Sequence, residues 1–255
     1  MKNWLLFNES LISNYKKLDL NDFFDNGRYS DSLIDKLTNL ITTSRRNPEI
    51  LDDLTDVLGW EKVSTIIKRR QPTKDNIKKG DFGESLTEFI LQNYFDYRIP
   101  VKKLRFKITR DESLHGADII AIKHDEKELL EICYSESKLR TGRDTSTAVT
   151  AYDQLKNEYD TDMPIIIEFI LEILHNKDAF LYRIFLNYLK DRRIMYDKER
   201  FVIGLIYDKM NWSFTTIDNL EESADNNYPI TVVNMIRINN LAKLIDFLYN
   251  LIGDD

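Results

Sequence analysis

The stretch from Gly116 to Lys138 constrains this chain most. Asp118 opens the apolar run Ile119-Ile120-Ala121-Ile122, and Glu136-Ser137-Lys138 closes a second run eighteen positions later. His124-Asp125-Glu126-Lys127 between them reads as a hairpin connection, with extended segments over residues 117–122 and 128–138. Strand side chains alternate faces with a period of two, so Glu136 and Lys138 project to one side, the first able to hold a metal and the second a water or a phosphate. A one-residue change in spacing would separate them. Glu131 lies earlier in the same run on the opposite face, with Cys133 rather than a lysine two positions on, so a structural or solvent-facing role is expected for it.

At 255 residues, 42% hydrophobic and 31% charged, the chain has a globular composition and is long enough for one substantial core, or for a core with a helical appendage. Its single cysteine, Cys133, excludes an internal disulfide and a Cys-based zinc site, and fits a reducing cytoplasm. Residues 1–8 offer too short an apolar stretch for a signal peptide, and charge interrupts every later apolar run, so no membrane segment is expected. The net charge of −7 by itself argues against tight nucleic-acid binding, but the charge is unevenly distributed. Residues 68–143 hold 17 Lys and Arg against 13 Asp and Glu, a balance of +4, and the remainder 19 against 30, or −11. Within the basic part, Lys78, Lys79, Lys102, Lys103, Arg105, Arg140 and Arg143 are the candidates for contact with DNA.

Apolar spacing predicts helices through residues 32–40 and 50–58, bounded at Asn47-Pro48-Glu49 and Gln71-Pro72-Thr73, because the residue before a proline leaves the helical region. A polar connector is expected at residues 74–80. From Gly83 the expected order is a helix over 84–95, strands over 101–109, 117–122 and 128–138, and a helix over 146–159 that Asp144 or Thr145 could cap. A long apolar helical stretch follows over 165–189, broken near Asn176-Lys177-Asp178, then strands over 201–207 and 230–236 and a closing helix over 241–251. Ile165, Ile166, Phe169, Ile170, Ile173, Phe180, Ile184, Phe185 and Leu189 are expected in the core or an interface. The division is an N-terminal helical region, 1–79, and an α/β domain, 80–255, with helical C-terminal additions. Fixed-period repeats, a Walker-type loop, Gly-x-Gly-x-x-Gly and Gly-x-Ser-x-Gly are all absent from the sequence, so ATP use by this chain alone is not expected.

Glu84, Asp118, Glu136 and Lys138 form the candidate chemical set. Phosphodiester hydrolysis needs an activated water, a clamp on the phosphoryl oxygens and relief for the departing alkoxide, which divalent metal on carboxylates largely supplies. Asp118 and Glu136 would bind one or two Mg²⁺, or Mn²⁺, with the Ser137 carbonyl as a further oxygen ligand and Glu84 acting through a second metal or a water. Lys138 would position the attacking water. The bland alternative is a salt bridge at a strand end. His115 could touch a phosphate, although a lone loop histidine is more often exposed and idle; His124 and His175 have no ligand partners in the sequence; Cys133 reads as an inert hydrophobe; and Tyr152 and Gln154 lie on the helix that could face the site, with Tyr152 equally placed for the core.

An Asp on one strand and Glu-x-Lys on the next resembles the PD-(D/E)XK metal-dependent nucleases. Gly83-Glu84, Gly116-Ala117-Asp118 and Ser135-Glu136-Ser137-Lys138-Leu139, followed by a Ser/Thr-rich helix start, resemble the HamA family, the nuclease subunit of the Hachiman anti-phage defence system, over roughly residues 80–189. The resemblance implies a PD-(D/E)XK-like restriction-endonuclease core of helix-strand-strand-strand-helix-strand order. It also implies a superfamily 2 helicase partner (HamB-like) and DNA cleavage released when that helicase acts on aberrant or invading DNA. Carried over residue by residue, it makes Asp118, Glu136 and Lys138 the catalytic set, with Glu84 beside them. Tyr134-Ser135 stands where a small residue such as Gly is expected. The acidic terminal regions are the candidates for docking the helicase. A stand-alone restriction or repair nuclease is a second reading, although no DNA-reading module is visible. A non-catalytic scaffold is a third, against which the intact Asp, Glu and Lys argue.

Overall fold

Asparagine, serine and proline begin the first helices where the sequence places them. The computed structural model describes residues 1–8, 15–107, 109–112, 117–126, 128–191 and 196–254; His115, Gly116 and Lys127 lie outside these. Helix α1 (Asp31–Arg45) starts at Ser30, whose hydroxyl accepts from the Leu33 amide, and α2 (Pro48–Leu58) starts at Asn47, whose side chain accepts from the Glu49 amide while Pro48 fills the first turn. α3 (Trp60–Arg70) stops just before Gln71-Pro72. α4 then runs from Asp75 to Tyr94, so the expected connector at 74–80 is instead helical and the 79/80 division falls inside one helix.

The first third is not wholly helical. β1 (Leu5–Asn8) pairs antiparallel with β2 (Leu18–Asp25), and β2 runs parallel to β6 (Ile230–Ile238). The remaining elements are β3 (Ile119–His124), β4 (Leu129–Arg140), α5 (Thr147–Thr161), α6 (Met163–Leu174), α7 (Ala179–Asp191), β5 (Glu199–Asp208), α8 (Thr215–Ser223) and α9 (Leu241–Asp254). Described strands form one mixed sheet in the order β1-β2-β6-β5-β4-β3, antiparallel at β3/β4 and β1/β2 and parallel elsewhere. The fold is mixed α/β. The break expected near residues 176–178 separates α6 from α7.

The strand expected over residues 101–109 does not form. Arg98 makes one antiparallel bridge to Ile122, exchanging both backbone hydrogen bonds at 2.8 and 2.9 Å. Pro100, two residues on, has no amide hydrogen to donate the next rung, and the chain turns into a 3-10 segment at Lys103–Phe106. Only β3 and β4 therefore stand between α4 and α5 among the described residues.

Apolar residues cover both faces of the sheet. α5, α6, α7 and α8 pack against Ile132, Tyr134, Phe201, Ile203 and Leu205, while α1, α3, α4 and α9 pack with Leu139, Ile206 and Ile236 on the other face. The core expectation for the α6–α7 stretch holds for Ile170, Ile184 and Phe185, but Ile165 is 64% exposed and Phe169 and Phe180 also reach solvent.

Two glycines let α4 settle on the sheet. A Cβ at Gly83 would lie 2.9 Å from Ser137 Oγ, and one at Gly204 on β5 would lie 2.3 Å from Thr87 Oγ1. Gly204→Ala is expected to cost about 1–3 kcal/mol, seen as a lower melting temperature, with part of the loss recovered in a Thr87→Ala background. Equal losses in both backgrounds would contradict this packing.

Candidate active site

Strand alternation and hairpin register together assemble the site. The β3/β4 register pairs Ile119 with Ser135; extended by one residue it sets Asp118 across from Glu136. Ser137 stays on the α4 side and donates its amide to Asp118 Oδ2 at 2.9 Å, which holds that carboxylate at the strand end. Glu136 and Lys138 project together, and Lys138 Nζ donates to Glu136 Oε1 at 2.5 Å and to Gln154 Oε1 on α5 at 2.8 Å. Gln154 passes the network on, donating to Glu158 Oε1 at 3.0 Å. Tyr152, by contrast, is core, with its hydroxyl accepting from the Asp225 amide. Glu131 lies on the opposite face, receiving the Tyr97 hydroxyl and pairing with Lys123 and Arg200, in keeping with a structural role.

The carboxylates repel one another in a sheltered place. Glu136 is only 2% exposed, and its Oε2 is buried with no hydrogen-bond partner among the described residues. Burial first, then the Asp118 charge, pushes Glu136 up to about 8, against the opposing pull of Lys138. Burial likewise raises Asp118, opposed by Lys103, the Ser137 amide and Lys138. Glu84 on α4 is raised by burial and next by Asp118, so it belongs to the same electrostatic neighbourhood. Glu158, raised mainly by burial, is a member that sequence reasoning missed; its place one helical turn after Gln154 was the available signal.

A divalent cation fits the two facing carboxylates, because it would answer their repulsion and engage the orphaned Glu136 oxygen. Three His, Cys, Asp or Glu side chains do not converge into a cage among the described residues, so most of the coordination shell would be water and substrate, as suits Mg²⁺. The Ser137 hydroxyl is turned away, accepting from Thr87 Oγ1 at 3.2 Å, which leaves its carbonyl as the atom to consider.

A raised carboxyl pKa favours the protonated folded state. The unfolded chain ionises Glu136 near its ordinary 4.5 and the folded chain near 8, so metal-free stability is expected to fall as pH rises between these values and to level off above. Melting curves in chelator across that window should show a shallower slope for Glu136→Gln. An unchanged slope would refute the assignment.

Residues 1–252 match the family model for HamA. The chain belongs to the HamA family. Membership fits a part in Hachiman defence. A search of curated proteins gives no match. No helix among the described residues is long and apolar enough to cross a membrane.

In this HamA-family chain the seven basic candidates divide by what already holds them. Lys102 pairs with Glu88 at 2.8 Å, Arg105 donates twice to the Thr43 carbonyl, and Lys103 donates to the Ala117 carbonyl at 3.1 Å beside Asp118. Lys79 meets Thr141 Oγ1 at 3.4 Å, Arg140 pairs with Asp144 at 3.2 Å, and Arg143 is exposed, so these three gather near the loop that follows β4. Lys78 lies over the Tyr249 ring and 3.7 Å from Asp75. Asp144 accepts from the Ser146 amide, but Ser146 is the residue that caps α5 and no side chain makes the capping bond, so the capping expected of Asp144 or Thr145 does not form.

Proposed function

We propose that this chain is a Mg²⁺-dependent deoxyribonuclease effector of bacterial anti-phage defence, restrained and supplied with DNA by a partner helicase. The observation that carries the reading is the unsatisfied buried oxygen of Glu136, facing Asp118 and tied through its other oxygen to Lys138. Bound divalent metal would supply Lewis-acid polarisation of the phosphoryl oxygens and lower the pKa of a water at neutral pH. Asp118 and Glu136 would hold it, with the Ser137 carbonyl near and Glu84 acting through a second metal or a water. Lys138 has its ammonium fixed by Glu136 and Gln154, so it can donate to the attacking water or to a phosphoryl oxygen without reorganising. Water would attack phosphorus and release a proton to solvent, the P–O bond to the leaving sugar oxygen would break, and that oxygen would take a proton from solvent. Lys79, Arg140 and Arg143 would guide the backbone toward Lys138.

Two features support restraint by a partner: the overall charge of −7 disfavours unaided capture of DNA, and Glu136 is closed off from solvent. The test is cleavage of plasmid and linear DNA in Mg²⁺ by the chain alone and with the helicase and ATP. Cleavage only with the helicase present supports the defence reading; cleavage by the chain alone points to the stand-alone nuclease; no cleavage under any condition leaves the scaffold.

A further inference from the structure

Outside the carboxylate site, a groove of about 680 Å³ opens between the first turn of α2, the segment before the 3-10 turn and the joint of α6 and α7. Its volume lies within the range of small-molecule sites. Five cations at its wall already have partners: Arg45 binds Asp81 and the Arg70 and Arg110 carbonyls, Lys102 binds Glu88, Arg98 binds Asp178, Arg105 binds Thr43 and Arg70 binds the Lys107 carbonyl. Arg46 differs. It is 8% exposed, its Nε is buried with no hydrogen-bond partner among the described residues, and it lies in the α1–α2 joint against the groove.

A buried Nε of a charged side chain without an acceptor is costly unless something answers it. Burial, then the like charges of Arg70 and Arg45, lower its pKa to about 10, which is still charged at neutral pH. The amino end of α2 opens onto the same groove and adds partial positive charge, against which Glu49 is the nearby acid on that helix. Apolar walls from Leu54, Ile99, Phe106 and Leu181 give a ligand something to pack against beside the charge.

We propose that this groove binds a nucleoside phosphate, its phosphate against Arg46 and the α2 amino end and its base along the apolar wall. The phosphates of duplex DNA lie on a convex surface, whereas a phosphomonoester is small enough to enter a groove of this volume and meet Arg46. Free nucleotide and the phosphorylated end of a strand share that chemistry. The inference does not depend on the nuclease reading, because its test needs neither metal nor catalysis.

The experiment is calorimetric titration of the full chain in chelator with inorganic phosphate, adenosine 5′-monophosphate, adenosine 5′-triphosphate, and a 5′-phosphorylated oligonucleotide beside its unphosphorylated twin. The expected result is saturable binding of the nucleotides, tighter than inorganic phosphate, weakened roughly tenfold or more in Arg46→Met. Preference for the phosphorylated oligonucleotide over free nucleotides would assign the site to strand ends. Because Arg46→Met removes a buried Nε that has no acceptor, its melting temperature is expected to hold or rise, and Lys177→Glu at the groove wall provides a second variant that should weaken binding without touching the buried joint. No binding at millimolar concentration, or binding indifferent to both variants, overturns the proposal.

Discussion

Glu136→Gln is expected to lower Mg²⁺-dependent DNA cleavage by roughly a thousandfold or more while the protein remains folded. Glutamine keeps the shape and volume of the side chain and can still accept from Lys138, but it carries no charge for a cation and does not repel Asp118. The metal-free variant should therefore melt at or above the wild-type temperature at neutral and higher pH, in line with the raised pKa of Glu136. Lys138→Met makes the complementary case. It leaves Glu136 Oε1 and Gln154 Oε1 without their donor, which costs about 1–3 kcal/mol for a buried acceptor, so cleavage and stability should fall together. Opposite stability changes with a shared loss of cleavage would mark a catalytic pair. Full cleavage by Glu136→Gln, measured beside equal Mg²⁺ binding by calorimetry, would defeat the assignment.

The largest stability effect is expected at Asp81. This carboxylate, 1% exposed on α4, receives Arg45 from α1 on one oxygen and Lys107 at 2.7 Å on the other. Both cations are themselves buried. Asp81→Ala strands two charges in the interior and is expected to cost about 3–5 kcal/mol, read as a lower denaturant midpoint. Asp81→Asn, which keeps the shape and part of the hydrogen bonding, should cost less. Because Asp81 lies one turn before Glu84, the alanine variant should also loosen α4 beside the site and reduce cleavage. A loss below about 1 kcal/mol would show that the triad is not what tethers α4 to α1.

Much of the site could be read from local spacing. The period of two placed Glu136 and Lys138 on one face whatever the rest of the chain did, and the hairpin between two apolar runs brought Asp118 across from Glu136. Asn47-Pro48 and Gln71-Pro72 marked helix ends because their effects act on adjacent peptide units. Glu158 escaped notice because its one signal, a place one helical turn after Gln154, does not say which way that face of the helix will turn.

Other features depended on partners far away in the chain. β2 forms beside β6, more than two hundred residues on, and its acidic character concealed it: Asp22 is buried against Arg237, and Asp25 accepts from Tyr29 and Asn239. Lys102 and Arg105 belong to a basic cluster in the sequence, yet α4 and α1 claim their side chains for Glu88 and Thr43. Residues 101–109 alternate like a strand, but Pro100 withholds the amide that would extend the ladder from Arg98. The sequence by itself determined which residues could share a face and where helices begin, because those depend on neighbours within a few peptide units. Only the tertiary structure decided which charges are neutralised inside and that Glu136 and Glu158 each keep an unanswered oxygen, because burial and pairing are properties of the whole packed chain.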